Sequence, residues 1–380
     1  MIVRWLATRL GIPVVGAYLL VGLGLGPLGI GIIGVELLDE LVPITAGVST
    51  FTLFMVGREL ELTRLRTEGR TPLMLAVGEG TTTFVAVTVG CYLVTRSPIV
   101  SLILGATATP TAAATVGLVL HQYTPRGRLT RLLRSTVALD DVVATAAGAV
   151  VIAIAGCFAW ENTTGGAPVN VVGVVVVLLA GLTGGALLVW GLPRLREYGH
   201  RSGLVIGILL SFLALAPVSP VAPPVAGLIA GLVLVNSVRY SRAFWHQFEE
   251  FLDFIYMMFF VYLGAHLQPG LLLGAPLLLA VYIFARSLGK GVGSTLGCTY
   301  CPLTLNTGFY LGTALMPQGA LSLILAAMAE KIAPTSAGLI LNVVLLSILF
   351  FEMVGPFGTS LAIHHYHEEH DINRAIRRAG

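Results

Sequence analysis

The chain has 380 residues, 56% of them hydrophobic and only 11% charged, with a formal net charge of +3. An average soluble domain carries about 25% charged residues, so this composition excludes a water-soluble globule and implies a polytopic, all-α membrane protein. The basic residues are not interleaved with aromatics, which argues against nucleic-acid binding.

Apolar segments able to form membrane helices recur along the whole sequence, about thirteen in all. In chain order they span residues 1–10, 13–33, 41–57, 72–95, 98–121, 136–158, 168–192, 203–216, 221–235, 250–267, 271–297, 306–329 and 336–361. The first has about half the length needed to span and lacks the small-residue cleavage site of a signal peptide. The loops between them sort by charge. One set holds Arg58, Arg64, Arg66 and Arg70, then Arg126, Arg128, Arg131 and Arg134, then Arg194, Arg196 and Arg201, then Arg239 and Arg242, ending with Arg374, Arg377 and Arg378. The other set holds Glu36, Asp39, Glu40 and Glu161. With thirteen alternating spans every arginine cluster falls on one side, so the expected orientation is N-terminus outside and C-terminus in the cytoplasm. "ENTTG" at 161–165 is a glycosylation sequon on the outer side, and "CTYC" at 298–301 is a lone CxxC too sparse for a metal site.

Two segments share a pattern. "LGATATPTAAATVGLVL" from Leu104 and "LGTALMPQGALSLILA" from Leu311 each place a proline, Pro110 and Pro317, five residues after a glycine and among small residues. Proline removes a helical hydrogen bond, and the freed carbonyls are tolerated at membrane depth only against protein or a watery cavity. By the topology above the two segments run in opposite directions, the mark of inverted repeats with two crossed, broken helices at the midplane. Gln318 follows the second break.

Charges inside the segments are Glu79, Asp140, Asp141, Asp253, Arg286, Lys290 and Glu352. Each costs about 2.5 to 3.5 kcal/mol at a helix centre on insertion scales, so adjacent acids such as Asp140 and Asp141 call for a reason. They lie about 100° apart on a helix, close enough to share a cavity while facing different partners. Arg286 is the expected counter-ion of one of them, and Lys290, one turn on, shares its face unless it snorkels to the cytoplasm. The carboxylate held by a base is structural; the other exchanges a proton for a small cation. A hard cation takes oxygen ligands, which Thr107, Thr109 and Thr111 and the carbonyls around Pro110 supply. Glu79, Asp253 and Glu352 read as buried, bonded acids, and His266 as interfacial.

"PVVGAYLLVGLGLGPLGIG", "FTLFMVGRELELTRLR", "ALDDVV", "FFVYLGAHL", "ARSLGKGVG" and "MPQGALSLILAA" occur in an order and at spacings that resemble the monovalent cation:proton antiporter superfamily. The likeness is to its paired-aspartate sodium/proton branch, related to Kef-type potassium efflux proteins. It implies an ion-transport core at 71–160 and 271–361 and a scaffold and dimerisation domain at 1–70 and 203–268. Residues 161–202 then form a linking helix and loop, and 362–380 a cytoplasmic tail. It also implies a homodimer in the inner membrane that exchanges Na+, or Li+, for H+ by alternating access. The ion acid is Asp141, the salt-bridged acid Asp140 and the base Arg286. An arginine there, where relatives tend to have lysine, favours one proton per cation unless Lys290 substitutes. The alternatives are a K+/H+ antiporter, a Kef-type efflux protein or a non-transporting membrane sensor. No enzyme is expected: the acids are adjacent rather than brought from two helices as in an aspartyl protease, HExxH is absent, and no cofactor motif appears.

Overall fold

The computed structural model describes residues 14–40, 42–59, 61–63, 70–112, 115–117, 119–120, 128–162, 171–195, 197–217, 222–238, 242–265, 275–301 and 303–379. The first apolar segment, Arg64, Arg66, Arg126, the sequon threonine Thr164 and His266 lie outside the described residues. Among those described, the regular structure is entirely helical. In chain order the helices are α1 Val14–Leu25, α2 Val35–Glu40, α3 Val42–Glu59, α4 Arg70–Thr95, α5 Pro98–Ala108, α6 Arg128–Asn162 and α7 Val171–Gly191. There follow α8 Tyr198–Ser211, α9 Ala222–Ser237, α10 Arg242–Ala265, α11 Pro276–Thr299, α12 Leu305–Ala314, α13 Ala320–Ile332 and α14 Pro334–Ala379. Four stretches among the described residues are long and apolar enough to cross a bilayer: Arg70–Thr95, Val175–Arg194, Pro276–Thr299 and Pro334–His365. The segments at 98–121 and 306–329 give shorter helices because each is interrupted at its proline.

The chain divides into two compact units. One comprises Met1–Thr67, Gly148–Pro269 and Ile324–Leu341. Its helices pack through small residues. A Cβ on Gly22 would lie 2.0 Å from the Val261 carbonyl oxygen and one on Gly264 2.1 Å from that of Leu19, so α1 and α10 touch backbone to backbone. Gly227 and Gly231 of α9 do the same against Thr50 and Phe54 of α3. Such close approach is how helices gain contact in lipid, where burying apolar surface alone supplies no drive. Phe51, Phe54, Trp245 and Phe248 fill the core between them, and the Arg58 guanidinium lies 4.6 Å from the Trp245 ring centroid.

The other unit comprises Glu68–Ala147, Gly270–Leu323 and Asn342–Gly380. Here α4 and α11 run along one another. Gly289, Gly293 and Gly297, one per turn of α11, face α4, and a Cβ on Gly293 would stand 2.7 Å from the Glu79 Cα. Only a residue without a side chain permits that approach. α5 and α12 are the half-helices that lead into the two breaks. Each opens on a hydroxyl cap, Ser97 accepting from the Val100 N–H and Thr304 from the Thr307 N–H. α14 continues through the stretch expected to be a tail, and His365 stacks on Tyr310 with ring centroids 4.2 Å apart.

Candidate functional site

The helical structure stops at Ala108 and at Ala314, and residues 110–112 and 316–319 form no regular secondary structure. The two breaks meet: the Ala112 N–H donates to the Pro317 carbonyl at 2.9 Å. Pro317 is also pressed against Gly355 of α14, where a Cβ would lie 2.7 Å from the proline ring, and Thr359 of α14 donates to the Ala314 carbonyl at 3.1 Å.

Interrupting two helices leaves carbonyls that must find donors. Arg286 serves four of them. Its Nε donates to Ala108 O at 2.9 Å, Nη1 to Met316 O at 2.6 Å, and Nη2 to Pro110 O at 3.0 Å and Pro317 O at 3.4 Å. The guanidinium also lies 4.3 Å from the Phe351 ring centroid. These carbonyls stand at the C-terminal ends of α5 and α12, where both helix dipoles are negative, so the buried cation is held by backbone. Its donors point at both breaks at once.

Lys290 takes the carboxylate instead. Its Nζ lies 3.1 Å from Asp140 Oδ2, 2.5 Å from Thr109 O and 2.9 Å from Thr111 Oγ1. It also forms an ion pair with Glu79 Oε1. Lys290, Glu79 and Asp140 are all fully buried, so the lysine does not snorkel. Thr111 ties the group together, donating to Asp140 Oδ2 at 2.6 Å and lying 3.3 Å from the Leu315 carbonyl. The Thr109 hydroxyl turns back to Ala106 O at 2.7 Å, leaving its carbonyl as the group that faces Lys290. Asp140 Oδ1 and Glu79 Oε2 have no hydrogen bond among the described residues.

Asp141 is half-buried, next to a fully buried Asp140. Gln318 seals the crossing elsewhere, its Nε2 donating to Thr107 O at 3.0 Å and to Tyr282 Oη at 2.8 Å while Oε1 accepts from Ser347 at 3.1 Å. Glu352 is buried and accepts from Thr115 Oγ1 at 2.9 Å, a bonded acid as expected; the side chain of Asp253 lies outside the described residues. Sequence reasoning missed the ion pair of Glu79 and the part of Tyr282. Their signals were present: Glu79 sits between Gly78 and Gly80, and Tyr282, Arg286 and Lys290 recur every four residues on one face of α11.

Two interrupted helices meeting over buried acids and bases, in an apolar all-helical chain, define the core of a multi-pass membrane transporter. The chain belongs to the transmembrane sodium/hydrogen exchanger family, whose profile matches residues 1–362. Among solved structures, the sodium proton antiporter MjNhaP1 from Methanocaldococcus jannaschii at pH 8 has the same fold. It shows a TM-score of 0.70 at 20% identity, covering 95% of this chain and 94% of that one. An electron-microscopy structure of the same antiporter gives 0.59 at 17% identity, covering 93% and 90%. No curated protein sequence matches the chain.

Proposed function

We propose that this chain is a secondary antiporter that exchanges Na+ for H+, the two ions competing for Asp141. The observation that carries the reading is the asymmetry of the acid pair. Asp140 is fully buried and bound to Lys290 and Thr111, whereas Asp141 keeps access from outside the protein. A carboxylate fixed by a buried base is costly to release, and a partly accessible neighbour is the one that can trade a proton for a cation. Asp140 Oδ1, buried without a hydrogen bond among the described residues, is an oxygen ready to share that cation, while the Thr111 hydroxyl bonds Oδ2 and the Thr109 carbonyl bonds Lys290. Na+ is favoured over Li+ and K+ by family membership.

In this reading Arg286 and the carbonyls of Pro110 and Pro317 keep the crossing rigid, and Gln318 braces it. The core at 71–160 and 271–361 carries the ion past the scaffold at 1–70 and 203–268, with 161–202 linking them and 362–380 as tail. The working form is a homodimer in the cell's inner membrane with the C-terminus in the cytoplasm. Exposed arginines Arg131 and Arg134 at the start of α6 and Arg194 after α7 support that orientation. The test is cation-induced proton movement in everted vesicles or proteoliposomes, scanned over Na+, Li+ and K+ from about pH 6 to 9, on both sides of neutrality. Na+ is expected to dissipate the proton gradient and Asp141→Asn to reduce this to background. Exchange that survives Asp141→Asn overturns the assignment; a well-folded protein that moves no cation overturns the antiporter reading.

A further inference from the structure

Lys290 has two acidic partners where one would neutralise it. Asp140 Oδ2 approaches from α6 at 3.1 Å, and Glu79 Oε1 from α4 makes an ion pair with the same ammonium. All three groups are fully buried. The contact with Glu79 exists because Gly293 lets α4 lie against α11, one turn beyond Lys290. Nothing in the exchange as proposed above uses Glu79.

We propose that Glu79 is a positioning residue that holds the Lys290 ammonium while Asp140 turns to the transported cation. The inference rests on Asp140 and Asp141 forming the cation site. A cation arriving beside Asp140 competes with Lys290 for the same carboxylate. If Asp140 were the lysine's only acidic partner, displacing it would leave a buried ammonium without a counter-charge, which proteins tolerate poorly. With Glu79 already in contact, the ammonium shifts its weight from one carboxylate to the other without leaving its pocket. The Thr109 carbonyl, 2.5 Å from Nζ, holds it throughout. Glu79 thereby sets how easily Asp140 is freed, and so sets cation affinity. It touches no transported ion.

The experiment compares wild type, Glu79→Gln, Glu79→Asp, Lys290→Met and the double variant Glu79→Gln with Lys290→Met. KM and Vmax for Na+-driven proton movement are read in proteoliposomes. The Na+ concentration that half-maximally raises the melting temperature in detergent is read in parallel, as a measure of binding without turnover. Glu79→Gln is expected to raise KM, and that half-maximal concentration, on the order of tenfold, as for coupled groups in direct contact, and more than it lowers Vmax. Glu79→Asp keeps the charge and stays nearer wild type. Lys290→Met lowers KM, and the double variant returns toward it, because no ammonium is left to compete. An unchanged KM in Glu79→Gln, or a double variant no better than Glu79→Gln alone, overturns the proposal. A loss of Vmax and melting temperature at constant KM assigns Glu79 a purely structural part and also overturns it. Should Glu79→Gln not fold, an unchanged KM in Lys290→Met does the same. Wild-type protein that responds to Na+ in neither assay removes the antiporter reading, and this inference with it.

Discussion

Asp140 and Asp141 are neighbours in sequence with opposite surroundings, and the division of work between them follows from burial. Because a proton and a cation compete for Asp141 in the proposed exchange, acidifying the medium withdraws the site from the cation. The expected result is a KM for Na+ that rises as pH falls, approaching tenfold per pH unit where the acid is mostly protonated, while saturating Na+ restores the rate. A KM series at fixed membrane potential checks this; a KM independent of pH contradicts competition. Arg286 belongs to a different class of residue. It serves four carbonyls at the ends of two half-helices, so its loss should appear first as instability. Arg286→Ala is expected to cost about 3–5 kcal/mol, as for removing one partner of a buried charged contact, and Arg286→Lys less, since an ammonium keeps the charge and some of the donors while losing the fork. Melting temperatures in detergent measure both. Asp141→Asn, by contrast, should melt close to wild type while losing exchange.

At the scale of elements, proline was readable from sequence and its partners were not. Pro110 and Pro317 announce their breaks because proline has no N–H to give. The repeated Leu-Gly spacing showed that the two breaks correspond. Which base serves which acid was not readable, since Arg286 and Lys290 lie one turn apart on one face and both reach the crossing. The choice is made by carbonyls at residues 108, 110, 316 and 317, which are anonymous in sequence and gain identity only once the helices stop. Glu79 was read as a bonded acid, but its partner depends on how closely α4 approaches α11. That approach is testable within one helix. A methyl group on Gly293 would meet backbone, 2.7 Å from Glu79 Cα and 2.8 Å from Gly78 O, whereas one on Gly291 would meet nothing within 4 Å. Gly293→Ala is expected to destabilise by about 1–3 kcal/mol, because packed backbones cannot yield without parting. Gly291→Ala is expected to be neutral or to stabilise by up to about 1 kcal/mol through helix propensity. Equal melting temperatures for the two variants would show that the seam is looser than the geometry states.

For the whole molecule, the arrangement of charge bears on how many protons each cation costs. The sequence favoured one proton through Arg286, which cannot give up its proton in a protein. The structure moves the question to Lys290, the base that does touch Asp140. If Glu79 holds that ammonium through the cycle, Lys290 stays charged in both loaded states, and only Asp141 alternates between proton and cation. One positive charge then moves each way. Exchange should therefore be electroneutral: a Na+ gradient drives proton movement in proteoliposomes, yet no current accompanies it. A clamped potential of about 100 mV should leave the final proton gradient unchanged. A cycle in which two protons returned for each cation would carry one net charge, worth about 2.3 kcal/mol per 100 mV, and would shift that equilibrium by roughly 50-fold. A measured current, or a gradient that follows the clamped potential, would mean that a second group besides Asp141 trades its proton in each turn. Lys290 is the group placed to do so, and Lys290→Met would then abolish the current while leaving electroneutral exchange.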